Sequence, residues 1–174
     1  MFEKDKMLKA IELLKPEGSL FEVRVIYDNG NTVSGYFKSH AVFYEQMSKY
    51  RFRDDANFYF TLNTINDACY SRKQKDVFIE RPKTATTDKD ITAYEWLMVD
   101  IDSVRPAGVS ASDEQVNLSK TKAASVFTYL SKNGFSEPVV AFSGNGFQEG
   151  LFPGEGQEWV KGKRFRFFLM FLRR

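Results

Sequence analysis

Two aspartates one residue apart, Asp100 and Asp102 in Leu97-Met-Val-Asp-Ile-Asp102, are the side chains whose spacing points most directly to chemistry. Side chains alternate along a strand, so residues i and i+2 share a face and lie about 6.5 Å apart. Two hard anionic donors at that spacing suit Mg²⁺ or Mn²⁺, which take carboxylates and keep water. Such ions polarise phosphates and activate hydroxyl nucleophiles. An isolated Asp-x-Asp is a common strand ending, so its meaning rests on its surroundings. Downstream, Ser143-Gly-Asn-Gly146 is a turn whose glycines let backbone N–H groups approach an anion. Arg105, just past the second acid, either neutralises a phosphate or pairs structurally with Asp102 or Asp113.

Other reactive types are scarce. A single cysteine, Cys69, excludes an internal disulfide and suits a reducing cytosol. With His40 as the only histidine, a structural zinc site is excluded too. His40 itself reads as a surface residue at the start of a helix. The formal net charge of +2 does not by itself indicate a nucleic-acid partner. Residues 161–174, however, carry six Lys or Arg and no acid. No signal-peptide pattern follows Met1. The most apolar run, Phe165–Leu172, is far shorter than the roughly 20 residues a membrane span needs. A soluble, cytoplasmic protein without a membrane partner is expected.

The elements that must position these groups follow from periodicity. Met7, Ala10, Ile11 and Leu14 form one stripe of a helix over 5–14, stopped by Pro16 and Gly18. Phe21–Tyr27 alternates as a strand, Asp28-Asn-Gly-Asn31 is a hairpin turn, and Thr32–Phe37 returns. Ser39 is a candidate cap for a helix reaching Tyr50, with Val42, Phe43, Met47 and Tyr50 inward. Asn57–Asn63 reads as a strand, Arg81–Asp90 as a loop and Glu95–Ile101 as a buried strand. Ser112-Asp-Glu-Gln115 is a capping box opening a helix to Asn133, with Val116, Ala123, Val126, Phe127 and Leu130 buried and Gly134 as the stop. Pro138–Ser143 is a further strand. Seventeen Phe and eight Tyr suit a strand-rich core. The sum is one α+β domain over 1–174.

Placed in order, Val99-Asp-Ile-Asp-Ser-Val-Arg-Pro-Ala-Gly-Val-Ser-Ala-Ser-Asp-Glu114, a helix, and Val139-Val-Ala-Phe-Ser-Gly-Asn-Gly146 resemble the archaeo-eukaryotic-type primase-polymerase domain of phages, plasmids and prophages. Gly35-Tyr-Phe37, Tyr59-Phe-Thr-Leu-Asn63 and the Thr-rich approach to the acids extend the resemblance over residues 18–147. The resemblance implies a mixed sheet related to the RNA-recognition motif, with helices on one face and the active site on the open face. It implies Asp100 and Asp102 as catalytic ligands of Mg²⁺ or Mn²⁺. Ser143, Gly144, Asn145 and Gly146, with Arg105 and Gln148, are implied at a nucleoside triphosphate's phosphates. Single-stranded or duplex DNA is the implied partner.

Two departures bear on activity. Where the family has a phosphate-contacting histidine this chain has Gln148, which donates hydrogen bonds but carries no positive charge. For the family's third acid the candidates are Glu149, Glu155 and Glu158, in what reads as a glycine-rich loop, and no Asp or Glu follows. Each lost charge contact in a transition state costs about 100- to 1,000-fold in rate. The expectation is therefore a primase-like domain with impaired or lost catalysis. The alternatives are a non-catalytic anti-defence protein of the anti-CRISPR type, binding a host effector such as Cas9, and a single-strand-binding accessory of replication. The divergent tail, 148–174, reads as a last sheet strand, as a nucleic-acid surface through Lys161, Lys163, Arg164 and Arg166, or as the product of a truncated or frameshifted gene.

Overall fold

The computed structural model describes residues 4–106, 108–135, 139–142 and 146–151. They form two compact units that divide between Tyr94 and Glu95. The expected α+β class holds: antiparallel sheets combine with three α-helices among the described residues. None of these helices is long and apolar enough to cross a membrane.

The first unit is built on a hairpin. Strands β1 (Phe21–Ile26) and β2 (Thr32–Phe37) pair antiparallel, Phe21 opposite Phe37 and Ile26 opposite Thr32. The turn works as its sequence implies, with Gly30 at φ +80° and the Asn29 side chain accepting the Asn31 N–H at 3.0 Å. Helix α1 (Lys4–Leu14) precedes the hairpin and α2 (His40–Lys49) follows it. Next come β3 (Asn57–Phe60), β4 (Thr64–Ile65), β5 (Ile79–Glu80) and β6 (Ile91–Ala93). The main sheet runs β3-β1-β2-β5, and β4 pairs with β6.

Alternation gives this sheet two unlike faces. Phe21, Val23, Val25, Val33, Phe37, Phe58 and Phe60 form the apolar one, all buried. Phe43 of α2 packs edge-on there, its ring 5.6 Å from Phe21 and 5.2 Å from Phe37. Met7, Ile11 and Leu14 of α1 and Met47 of α2 complete the core. Gly35 sits where no side chain fits: a Cβ there would lie 2.6 Å from the Val77 carbonyl oxygen and 2.7 Å from the Phe37 ring. Gly35→Ala should therefore destabilise the unit by about 1–3 kcal/mol, measured by urea unfolding.

Two local expectations need correction. Ser39 occupies the N-cap of α2, but its side chain makes no capping hydrogen bond. His40 is not a surface residue, its side chain being only 15% exposed. Nδ1 lies 3.0 Å from the Glu17 carboxylate and Nε2 lies 2.9 Å from the Lys15 carbonyl oxygen, tying the end of α1 to the start of α2.

The opposite face of the sheet is polar and covered by chain. Glu22, 1% exposed, accepts hydrogen bonds from Arg24 at 2.8 Å, Ser34 at 2.5 Å, Lys73 at 3.1 Å and the Thr86 N–H at 2.9 Å. Arg24 also donates to the Thr86 carbonyl, and the Tyr36 hydroxyl meets the Thr86 hydroxyl. The stretch expected as a plain loop, 81–90, is thus fastened to the sheet and ends in a short 3-10 helix, Asp88–Asp90. Asp90 closes that helix by accepting from the Thr87 N–H and from the two terminal guanidinium nitrogens of Arg72.

The second unit contains β7 (Leu97–Asp102), α3 (Asp113–Lys132), β8 (Val139–Phe142) and β9 (Gly146–Leu151). The strand order is β7-β9-β8, with both outer strands antiparallel to β9. Strands β7 and β8 are therefore parallel, joined through α3, with β9 inserted between them. Helix α3 packs on β7 and β9. Ala123 and Ser119 are buried in that contact, while Val116, Val126, Phe127 and Leu130 are half-buried. Gly134, at φ +86°, ends the helix as expected.

Candidate functional site

Strand β7 is not the buried strand its apolar run implies. Leu97, Met98, Val99 and Ile101 are half-buried, and Asp100 and Asp102 are exposed. The alternation at the strand's end turns Val99 and Ile101 one way and both carboxylates the other. The two acids thus share one solvent-facing side of the sheet.

The register places the glycine-turn end of β9 beside them. Asp102 is opposite Gly146, and Asp100 is opposite Gln148, which is opposite Ala141 of β8 in turn. Two of the residues implied at a nucleotide's phosphates, Gly146 and Gln148, are therefore cross-strand neighbours of the two acids. Ser143, Gly144 and Asn145 lie outside the described residues, as do Lys161, Lys163, Arg164 and Arg166.

Glu149 stands on β9, not in a loop, and its register partners are Val99 and Val140. Its register row is that of Val99, one residue out of step with the rows of Asp100 and Asp102. Glu155 and Glu158 lie outside the described residues. Among the described residues, no three His, Cys, Asp or Glu side chains are grouped to hold a metal ion. The donor set at β7 is thus a pair of exposed carboxylates. That set fits Mg²⁺ or Mn²⁺, ions that bind through one or two carboxylates and fill the remaining positions with water and substrate phosphate.

Arg105 pairs with neither Asp102 nor Asp113. Its Nε–H donates to the Ser103 hydroxyl at 3.1 Å and a terminal N–H to the Val109 carbonyl at 3.1 Å. The guanidinium thereby braces the loop that leaves β7. At the loop's far end the capping box of α3 is complete. The Gln115 N–H donates to the Ser112 hydroxyl at 3.3 Å, and the Ser112 N–H donates to Gln115 Oε1 at 3.0 Å. The Gln115 amide also donates to the Val104 carbonyl at 2.9 Å, a contact no short sequence pattern announces.

The other concentration of charge lies in the first unit. Burial pushes the Glu22 carboxyl up, but Arg24, Ser34, Lys73 and the Thr86 N–H outweigh it and hold the group below its ordinary 4.5. Burial pulls Lys73 below 10.5, and its Glu22 contact only partly offsets this. Burial is unfavourable for both charges, and the carboxylate recovers more because it has more partners. Hydrogen bonds from Arg72 hold Asp90 well below its usual 3.8. These groups pair with one another, apart from the buried Arg24 Nε–H, which has no partner among the described residues, and they read as structural. Among comparisons with known proteins, no family model, curated protein or solved structure matches this chain.

Proposed function

We propose that this chain is a primase-polymerase-like domain that binds a nucleoside triphosphate and single-stranded DNA, with nucleotidyl transfer impaired or lost. One observation carries the reading. Asp100 and Asp102 lie exposed on one side of β7, and Gly146 and Gln148 stand opposite them in register. The topology adds support, because the succession β7-α3-β8-β9, with β9 between β7 and β8, follows the first four of the six elements of a β-α-β-β-α-β unit, as an RNA-recognition-motif-related sheet would.

In this reading Asp100 and Asp102 hold Mg²⁺ or Mn²⁺, and the bound ion supplies charge neutralisation for a triphosphate and activation of a 3′-hydroxyl. The backbone N–H groups at the start of β9 orient the phosphates. Gln148 donates a hydrogen bond but brings no charge toward departing pyrophosphate, which is why transfer is slow.

A gain of function tests this. Labelled nucleotide incorporation onto single-stranded DNA with Mn²⁺ should be weak in the wild type and rise about 100-fold in Gln148→His. Asp100→Ala with Asp102→Ala should abolish it in both backgrounds. Incorporation indifferent to the acid pair would sink the reading. Metal-dependent nucleotide binding with no transfer, even in Gln148→His, would instead favour a purely binding role.

A further inference from the structure

We infer that Gln115 is a positioning residue for the Asp100/Asp102 site, tying the start of α3 to the chain that leaves the acid pair. The inference rests on the reading of those aspartates as metal ligands. Among the described residues between β7 and α3, one backbone turn, the Val109 N–H donating to the Pro106 carbonyl at 3.3 Å, is joined by side-chain ties. Arg105 braces the loop's interior through Ser103 and Val109. Gln115 closes it, because one carboxamide serves two backbone groups, accepting from the Ser112 N–H and donating to the Val104 carbonyl. Only this orientation of the amide satisfies both, since one partner is a donor and the other an acceptor. Val104 lies two residues beyond Asp102, so the second contact fixes the chain next to the acid.

The capping function alone does not need glutamine. A glutamate in the same place accepts the Ser112 N–H equally well and is an ordinary capping-box residue. It has no N–H for the Val104 carbonyl, so the tie separates the two roles. Gln115→Glu keeps the helix cap and breaks the link to the acid-pair loop.

Mn²⁺ binding to the full chain, followed by electron paramagnetic resonance, provides the test, with circular dichroism reporting helix content. Gln115→Glu should leave helicity unchanged and weaken Mn²⁺ binding about tenfold, the range found for residues that orient metal ligands. The added negative charge would by itself strengthen cation binding, so weakening points to lost positioning. Gln115→Ala should weaken Mn²⁺ binding and lower helicity as well. Unchanged or tighter Mn²⁺ binding in Gln115→Glu overturns the inference while leaving the metal reading standing. A wild-type chain whose Mn²⁺ binding is absent, or survives Asp100→Asn with Asp102→Asn, overturns both.

Discussion

Replacing Glu22 with alanine should remove about 3–5 kcal/mol from the stability of the first unit, the loss expected when one partner of a buried ion pair is deleted. The side chains of Glu22 and Lys73 are 1% and 5% exposed, so the ammonium left behind cannot recover its hydration without opening the structure. The Thr86 N–H and the Arg24 guanidinium lose an acceptor in the same step. Urea unfolding at neutral pH measures the change. Replacing both partners, Glu22→Leu with Lys73→Met, should recover part of it, because the buried ammonium is then gone while the Arg24 guanidinium, 22% exposed, still lacks its carboxylate. A loss below about 1 kcal/mol in the single variant would mean that water reaches the cluster. The pH dependence has a definite sign. Glu22 and Asp90 are held below their ordinary 4.5 and 3.8 in the folded chain, so their contribution is complete above those values. It drains away as pH falls through them toward the lower folded values. Wild-type stability should therefore decline steeply below about pH 4.5, and Glu22→Ala should decline less.

The second large effect belongs to the site. Asp100→Asn with Asp102→Asn should weaken Mn²⁺-dependent nucleotide binding by more than the roughly 10–100-fold typical of outer-shell partners, since it removes the ligands themselves. Both side chains are exposed, so thermal stability should fall by no more than about 1 kcal/mol, the range of an exposed charge interaction. Large loss of binding with an intact fold distinguishes a ligand pair from a structural one. Equal loss of both would assign the aspartates to holding the sheet together.

Local rules carried the reading of the fold a long way. The hairpin at Asn29-Gly30, the stripe of α1, the capping box at Ser112 and the stop at Gly134 each depend on neighbours within about a helical turn, and each appears where expected. What escaped is long-range. Glu22 and Thr86 lie 64 residues apart, so nothing in either segment shows that Arg81–Asp90 is pinned to a polar sheet face. His40 looked exposed because its partners, Glu17 and the Lys15 carbonyl, precede it by a whole hairpin. The apolar run before Asp100 suggested burial on both faces, whereas α3 supplies cover for one. Of the site, the shared face of Asp100 and Asp102 follows from strand alternation alone. The pairing of Gly146 and Gln148 with them required the strand order, in which β9 enters between β7 and β8.

Paramagnetic broadening of backbone amide signals by substoichiometric Mn²⁺ locates the ion without relying on catalysis. The account places it at the end of β7, so the amides of residues 100–103, Gly146 and Gln148 should broaden first, and Asp100→Asn with Asp102→Asn should eliminate the effect. Broadening centred on another acidic stretch, such as Asp54-Asp55, or undiminished in that double variant, would contradict it.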